Sequence, residues 1–275
     1  MQALLIGYSD SSFNSLRSNL INLSEDCSME LVHNIRLNIK KIRALLDALD
    51  YRDNSSNYIL IMKKVNSLFA RLGYLRDAQV QVSLLEFYRE RVGEEVDDII
   101  DNINKRKKKI NSNLKKKIRK LNPFDITLLN QRFDETIECL DNENLEEKFQ
   151  RKVEQGFNQV IELISDSTDE DVLHRIRILL KELTFNLSIM KKAKVKTKYN
   201  STFSVLLNSI HKKLGNWHDL FVFLSLINEI DDCCGRAINL LQIVESDKGL
   251  IHQEIVEDLK KLRGIKPKKT KRGDI

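Results

Sequence analysis

The chain is 275 residues long, 31% charged and 41% hydrophobic, with a formal net charge of +6. That length can bury a sizeable core in one large or two medium domains, and the composition is typical of a globular protein with a charged surface. Every apolar run is shorter than the roughly 20 residues of a membrane-spanning helix, and Met1–Gly7 lacks the basic start of a secretory signal. We therefore expect a cytoplasmic protein without a membrane partner.

Turn-forming residues are scarce, since Pro123 and Pro267 are the only prolines and there are nine glycines. Apolar residues recur at helical spacing, which predicts an all-α fold. Gly73 has the character of a helix C-cap, and Thr168–Asp171 of a capping box. In chain order, the predicted helices cover about 11–23, 29–49, 57–72, 77–92, 94–121, 125–140, 143–165, 169–192, 201–214, 219–231 and 234–262.

The helix predicted at 29–49 carries a row of basic side chains. His33, Arg36, Lys40 and Arg43 fall within a stripe roughly 80° wide on a helix with 3.6 residues per turn. No Asp or Glu occurs between Leu31 and Leu46 to balance them. Like charges three or four residues apart destabilise a helix by a few tenths of a kcal/mol per pair. A stripe that opposes its own helix indicates a binding site for an anion.

A second copy of this pattern begins 141 residues later. His174, Arg177 and Lys181 repeat the spacing of the first three stripe residues. Leu72-Gly73 and Asp77 likewise recur, 142 residues later, as Leu214-Gly215 and Asp219. The repeat predicts two homologous helical halves, about 9–141 and 142–263, within a single domain over 1–263. Such halves usually pack about a pseudo-twofold axis, which would set the two stripes facing one shared space.

The chemistry of the stripes favours a phosphate polymer. Arg presents a planar fork to phosphate oxygens, Lys a compact charge, and His a donor whose charge changes near neutral pH. From His33 to Arg43 the first stripe is about 15 Å long, which suits a chain of phosphates better than a single one. Further candidates at the rim are Arg71 and Arg76 beside the first Leu-Gly pair, and Lys213 and His218 beside the second. Asp77 could cap a helix or pair with a cation.

Other functions have weaker support. A nucleic-acid-binding or scaffold protein could use the same basic surface, the run Lys105–Lys120 and the basic tail 264–275. We expect this tail to be flexible. Aromatic residues are only 7% of the chain, and none interleaves with the basic runs to stack bases. The sequence has no GxxxxGK[ST], HExxH or GxSxG motif, so we expect neither an enzyme nor a cofactor. Cys27, Cys139, Cys233 and Cys234 lack zinc-site spacing, so we expect reduced thiols and no metal.

Four segments together resemble the CHAD family, the conserved histidine α-helical domain. They are HNIRLNIKKIR at 33–43, LGYLRD at 72–77, HRIRILLKELTF at 174–185 and LGNWHD at 214–219. Each segment alone is unspecific, but all four in this order are fairly specific, and they extend the resemblance over roughly 9–262.

The resemblance implies two helical bundles around a basic surface or pore that binds inorganic polyphosphate without hydrolysing it. It would assign this binding to the stripe residues and, less securely, to Arg71, Arg76 and Lys213, and it is compatible with association with polyphosphate granules. Thr184-Phe185 departs from the family, whose second motif usually has Arg-Tyr there, so we expect the first half to bind more strongly. Many relatives carry an N-terminal triphosphate-tunnel domain with an ExExK strand, and we expect none here.

Overall fold

The structure is a computed structural model that describes residues 1–23, 27–49, 51, 56–118, 123–140, 142–164, 169–199, 201–231 and 238–265. All regular structure within these ranges is helical, which confirms the predicted all-α class. The helices are α1 (Gln2–Asn22), α2 (Met29–Ala48), α3 (Ser56–Val92), α4 (Asp97–Ile118), α5 (Pro123–Glu138), α6 (Asn142–Leu163), α7 (Glu170–Lys192), α8 (Ser201–Asp231) and α9 (Ile238–Arg263), with a 3₁₀ turn at Gly93–Val96. No helix in the described ranges is long and apolar enough to span a membrane.

Two long helices extend through both hydrophobic clusters of the molecule. Helix α3 has 37 residues and α8 has 31, so α3 is about 55 Å long at 1.5 Å per residue. Their first halves pack into a large hydrophobic cluster with α1, α2, α5, α6, α7 and the end of α9. Their second halves form a smaller cluster with the beginnings of α4 and α9. The two stripe helices, α2 and α7, lie in the large cluster and pack against each other.

The predicted breaks at Gly73 and Gly215 are wrong, because α3 and α8 each continue through the glycine. Leu72 and Leu214, the residues just before them, are completely buried, so packing holds both helices together at these points. Gly73 instead leaves room for a neighbour, since a Cβ atom there would lie 3.0 Å from Nη1 of Arg36. The sequence does not distinguish these two roles, because a glycine can end a helix or lie inside one where a neighbour approaches closely.

Other helix ends also differ from the prediction. Helix α1 begins at Gln2 and not near residue 11. Ser9 in its first half is fully buried, and its hydroxyl donates to Oδ1 of Asn130 at 2.9 Å. Helix α7 is capped by Asp169, whose Oδ1 accepts from the amide of Val172 at 2.8 Å. The capping role given to Thr168 and the flexible tail at 266–275 lie outside the described residues.

We expect alanine at the two helix glycines to have different effects on stability. In a helix interior, alanine is favoured over glycine by roughly 0.5–1 kcal/mol. Gly215→Ala should gain that amount, since nothing lies within 4 Å of the new Cβ. Gly73→Ala should gain less or lose stability, because Arg36 must move away. Urea unfolding of both variants measures the difference, and equal gains would show that Gly73 has no packing role.

Candidate anion-binding site

The two stripes lie beside the buried faces of α2 and α7. Ile35, Ile39 and Ile42 bury one side of α2, and Ile176, Leu180 and Leu183 do the same for α7. Each helix also begins with a side-chain cap, Ser28 for α2 and Asp169 for α7, which fixes where its first turn starts. The cations therefore occupy the margin between core and solvent. His33 and His174 are exposed, while the remaining stripe side chains are half-buried: Arg36, Lys40, Arg43, Arg177 and Lys181.

The stripes meet at Lys40 and Lys181. Burial lowers the pKa of Lys40 to about 7, and the charge and hydrogen-bonding contact of Lys181 add to the effect, as do the charges of Arg36 and Arg177. The pKa of Lys181 is also lowered, by burial and then by Arg177 and Arg36. Four cationic groups from two helices therefore share one partly desolvated space. The predicted convergence of the stripes is present in the structure.

Helix α3 orients the arginines of the first stripe. Nη1 of Arg36 donates to the carbonyl oxygen of Phe69 at 2.7 Å, and Nη2 of Arg43 donates to Oδ1 of Asn66. The guanidinium carbons of Arg36 and Arg43 lie 4.3 and 4.2 Å from the centre of the Phe69 ring. One aromatic ring thus holds both guanidinium groups by cation–π contact. Such fixed donors lose little side-chain entropy when an anion binds.

Helix α8 flanks the second stripe with two histidines. Burial and the charges of Arg177 and Lys181 lower the pKa of His211, and burial with Arg177 and His174 lowers that of His218 to about 4. The ring centres of His174 and His218 are 5.2 Å apart. The sequence motifs did not indicate His211. The repeat offset of 142 pairs it with Phe69, but a phenylalanine gives no sign of anion binding in the sequence alone.

Two carboxylates lie among these cations. Burial raises the pKa values of Asp77 and Asp219, while the charges of Arg36, Arg76 and Arg177 oppose the rise. Asp77 lies inside α3, so the helix-capping role considered for it is wrong, and its electrostatic pairing with arginines is what the structure shows. These electrostatic interactions show that Arg76 lies near the first stripe, where its charge also lowers the pKa of His33. The two carboxylates therefore offset part of the positive charge of the cluster.

The structure does not bring Arg71 and Lys213 to this cluster. Each lies two residues before the glycine of its Leu-Gly pair, so it is about 160° around the helix from that glycine. Lys213 instead forms ion pairs on α9, with Asp258 at 2.8 Å and Glu254 at 2.9 Å. These partners raise its pKa. A contribution of either residue to anion binding stays a prediction.

The second stripe is shorter than the first at its C-terminal end. Thr184 occupies the position that corresponds to Arg43, and its hydroxyl donates to the carbonyl oxygen of Leu180 at 2.7 Å within α7. A pocket of about 360 Å³ opens next to it, between α2 and α7. Within the described parts of the chain, no group of three or more His, Cys, Asp or Glu side chains is arranged to hold a metal ion.

We expect Lys40 to titrate near pH 7, as its side-chain NMR signals would show, and Lys181→Met to raise this pKa by removing the adjacent charge. A lysine whose pKa is about 7 when folded and 10.5 when unfolded binds fewer protons in the folded state between those values. The free energy of unfolding should therefore rise with pH across that window. Lys40→Met should reduce the slope, and Lys41→Met, on the same helix, should not. Equal slopes in the two variants would contradict the assignment to Lys40.

Comparison with known proteins places this chain in a family. The model of the CHAD domain matches residues 8–228, while no curated protein shows significant similarity to the sequence. The crystal structure of the CHAD domain from the plant Ricinus communis is similar with a TM-score of 0.72 and 16% identity, over 97% of this chain and 93% of that one. PptA from Streptomyces chartreusis is similar with a TM-score of 0.64 and 9% identity, over 96% and 99%. At these identities, both structures support the fold alone. Since the family model covers most of the chain, the protein belongs to the CHAD domain family.

Proposed function

We propose that this protein binds inorganic polyphosphate along the surface where its two stripes meet, without hydrolysing it. The observation that carries the proposal is the contact between Lys40 and Lys181, each half-buried and each with a lowered pKa. Packing like charges together while removing water from them destabilises a fold. A polyanion placed between the two ammonium groups reverses that effect, so an anionic ligand would stabilise the arrangement.

The flanking donors suit a chain of phosphates. Arg36 and Arg43 are held over Phe69 on one side, and Arg177 lies near His211 and His218 on the other. Together with the lysines they form an extended series of donors rather than one small anion hole. Histidines with lowered pKa values can take up protons as phosphate approaches, which adds to the attraction. Binding without catalysis fits the position of Asp77 and Asp219 among arginines, where they balance charge.

We further infer that the site arose from the duplication suggested by the repeat. The order α1–α2–α3–α4 and the order α6–α7–α8–α9 have the same neighbours in contact, each helix packing on the next. The stripe helices α2 and α7 hold equivalent places in these two series and meet at the equivalent residues Lys40 and Lys181. A pseudo-twofold relation would produce this meeting directly. On this view, residues 1–263 act as one domain, because neither half has the full site. We also propose that the protein acts in the cytoplasm.

Nucleic-acid binding is the second candidate, supported by exposed lysines on α4 such as Lys105 and Lys108. The geometry at the stripes favours it less. Proteins that bind single strands usually offer aromatic rings on which bases stack. The ring at the first stripe, Phe69, is already in contact with two guanidinium groups. Stacking a base there would require these cations to leave the positions from which they would bind phosphate.

We expect Lys40→Glu to weaken polyphosphate binding at least tenfold, because it places a repelling charge where the stripes meet, and tenfold corresponds to about 1.4 kcal/mol. Isothermal titration with chains of increasing length measures the effect. The unaltered protein should bind long chains more tightly than short ones, and salt should weaken all of them.

Lys41→Glu makes the same change of charge one residue away on α2, and it is the matched control. It should retain most of the affinity, since position 41 points about 100° away from the stripe. If both variants lost affinity equally, binding would depend on net charge alone, and the proposed site would be wrong.

A further inference from the structure

The pocket between α2 and α7 has a composition that a purely inorganic polyanion does not match. Its volume of about 360 Å³ lies within the range of small-molecule sites, roughly 300–1,000 Å³. Helix α2 contributes four residues over two turns to its wall, and these change from basic to acidic along the helix. Lys40 and Arg43 come first, then Ala44, then Asp47. The pocket therefore joins the cationic stripes to a surface of different character.

The basic part of the pocket belongs to the proposed polyphosphate site. Lys40, Arg43 and Lys181 all line it. Arg43 is fixed by Phe69 and Asn66, so its guanidinium is available in a defined orientation. These three cations can hold two or three phosphate groups at the basic end of the pocket.

The acidic part consists of two exposed carboxylates, which would repel such a chain if it continued past the three cations. Asp47 and Glu182 both line the pocket. They are close enough that the charge of Asp47 raises the pKa of Glu182, in addition to the effect of burial. Inorganic polyphosphate has only oxygen atoms that accept hydrogen bonds or carry negative charge. It has no donor for the carboxylate of Glu182, while Asp47 is already paired with Lys152 at 3.5 Å.

The remaining walls are apolar, apart from one buried amide. Ile178 lines the pocket although 43% of its surface is exposed, and Phe185 lies one turn beyond Lys181. Asn186 also lines the pocket and is only 7% exposed, yet its Oδ1 atom has no hydrogen-bond partner among the described residues. A buried acceptor without a donor destabilises the fold. This effect is removed if a ligand supplies a donor, with small adjustments of the amide.

We propose that this pocket binds an organic phosphate of the nucleoside triphosphate class. The phosphates lie on Lys40, Arg43 and Lys181, and the heterocycle packs between Ile178 and Phe185. Its amino group donates to the carboxylate of Glu182 or the amide oxygen of Asn186. The phosphate contacts rest on the proposed function, whereas the contacts of the heterocycle do not.

The test compares ATP with inorganic triphosphate, in EDTA to exclude metal complexes. Inorganic triphosphate has the same number of phosphates and at least as much negative charge, so the cationic surface alone would bind it as tightly as ATP or more tightly. We expect ATP to bind about tenfold more tightly, because its heterocycle adds a charge-assisted hydrogen bond. Equal or weaker binding of ATP would overturn the proposal.

Glu182→Ala separates the two ligands further. It removes a repelling charge for both and a hydrogen-bond acceptor for ATP alone, so the preference for ATP should fall severalfold while inorganic triphosphate binds as well or better. Glu257→Ala, an exposed carboxylate on α9 outside the pocket, is the matched control for net charge. An unchanged preference in Glu182→Ala would contradict the assigned contact.

Ile178→Ala tests the apolar wall at a position exposed enough to tolerate the change, and it should also lower the preference for ATP. An unchanged preference would exclude packing of the heterocycle against this wall. Long-chain polyphosphate is titrated alongside in every case. If it binds and ATP is not preferred, the pocket assignment fails and the proposed function stands. If it does not bind at all, the proposed function itself fails.

Discussion

The central constraint on this structure is the contact of two like-charged side chains, Lys40 and Lys181, at the meeting of α2 and α7. Half-burial keeps water from screening them fully, and the pKa of Lys40 falls to about 7 as a result. A fold selected for stability alone would replace one of them with a neutral residue. The arrangement around them reduces the cost in part, since Asp77 and Asp219 lie among the nearby arginines. The remaining positive charge is what a polyanion would neutralise.

The long helices α3 and α8 make this contact possible. Each runs unbroken from the large hydrophobic cluster into the small one, and each presents a face of polar and aromatic side chains to one stripe. On α3, the face holds two arginines through Phe69, and Gly73 leaves the space that Arg36 occupies. On α8, the face provides His211 and His218 instead. The first half thus offers fixed guanidinium groups, and the second offers groups whose protonation can change.

Periodicity predicted the all-α class and located both stripe helices, because α2 and α7 bury regular rows of Ile and Leu. Periodicity gave wrong helix ends at two glycines, because a glycine can lie inside a helix as well as at its end. Gly73 and Gly215 looked like helix ends, but buried leucines beside them keep α3 and α8 continuous. The wrong helix end at Gly215 also gave the wrong position of Lys213 around α8. Lys213 was therefore grouped with the stripes, although it pairs with Asp258. His211 was missed because its role depends on packing between α7 and α8, which no local pattern encodes.

The most direct test of the account is a competition titration at constant salt. Labelled long-chain polyphosphate is bound to the protein, and unlabelled polyphosphate or single-stranded nucleic acid is added at equal phosphate concentration. If the paired stripes are built for a bare phosphate chain, polyphosphate displaces the label and nucleic acid displaces it only at much higher concentration. Tight binding of nucleic acid that polyphosphate cannot displace would contradict the central claim.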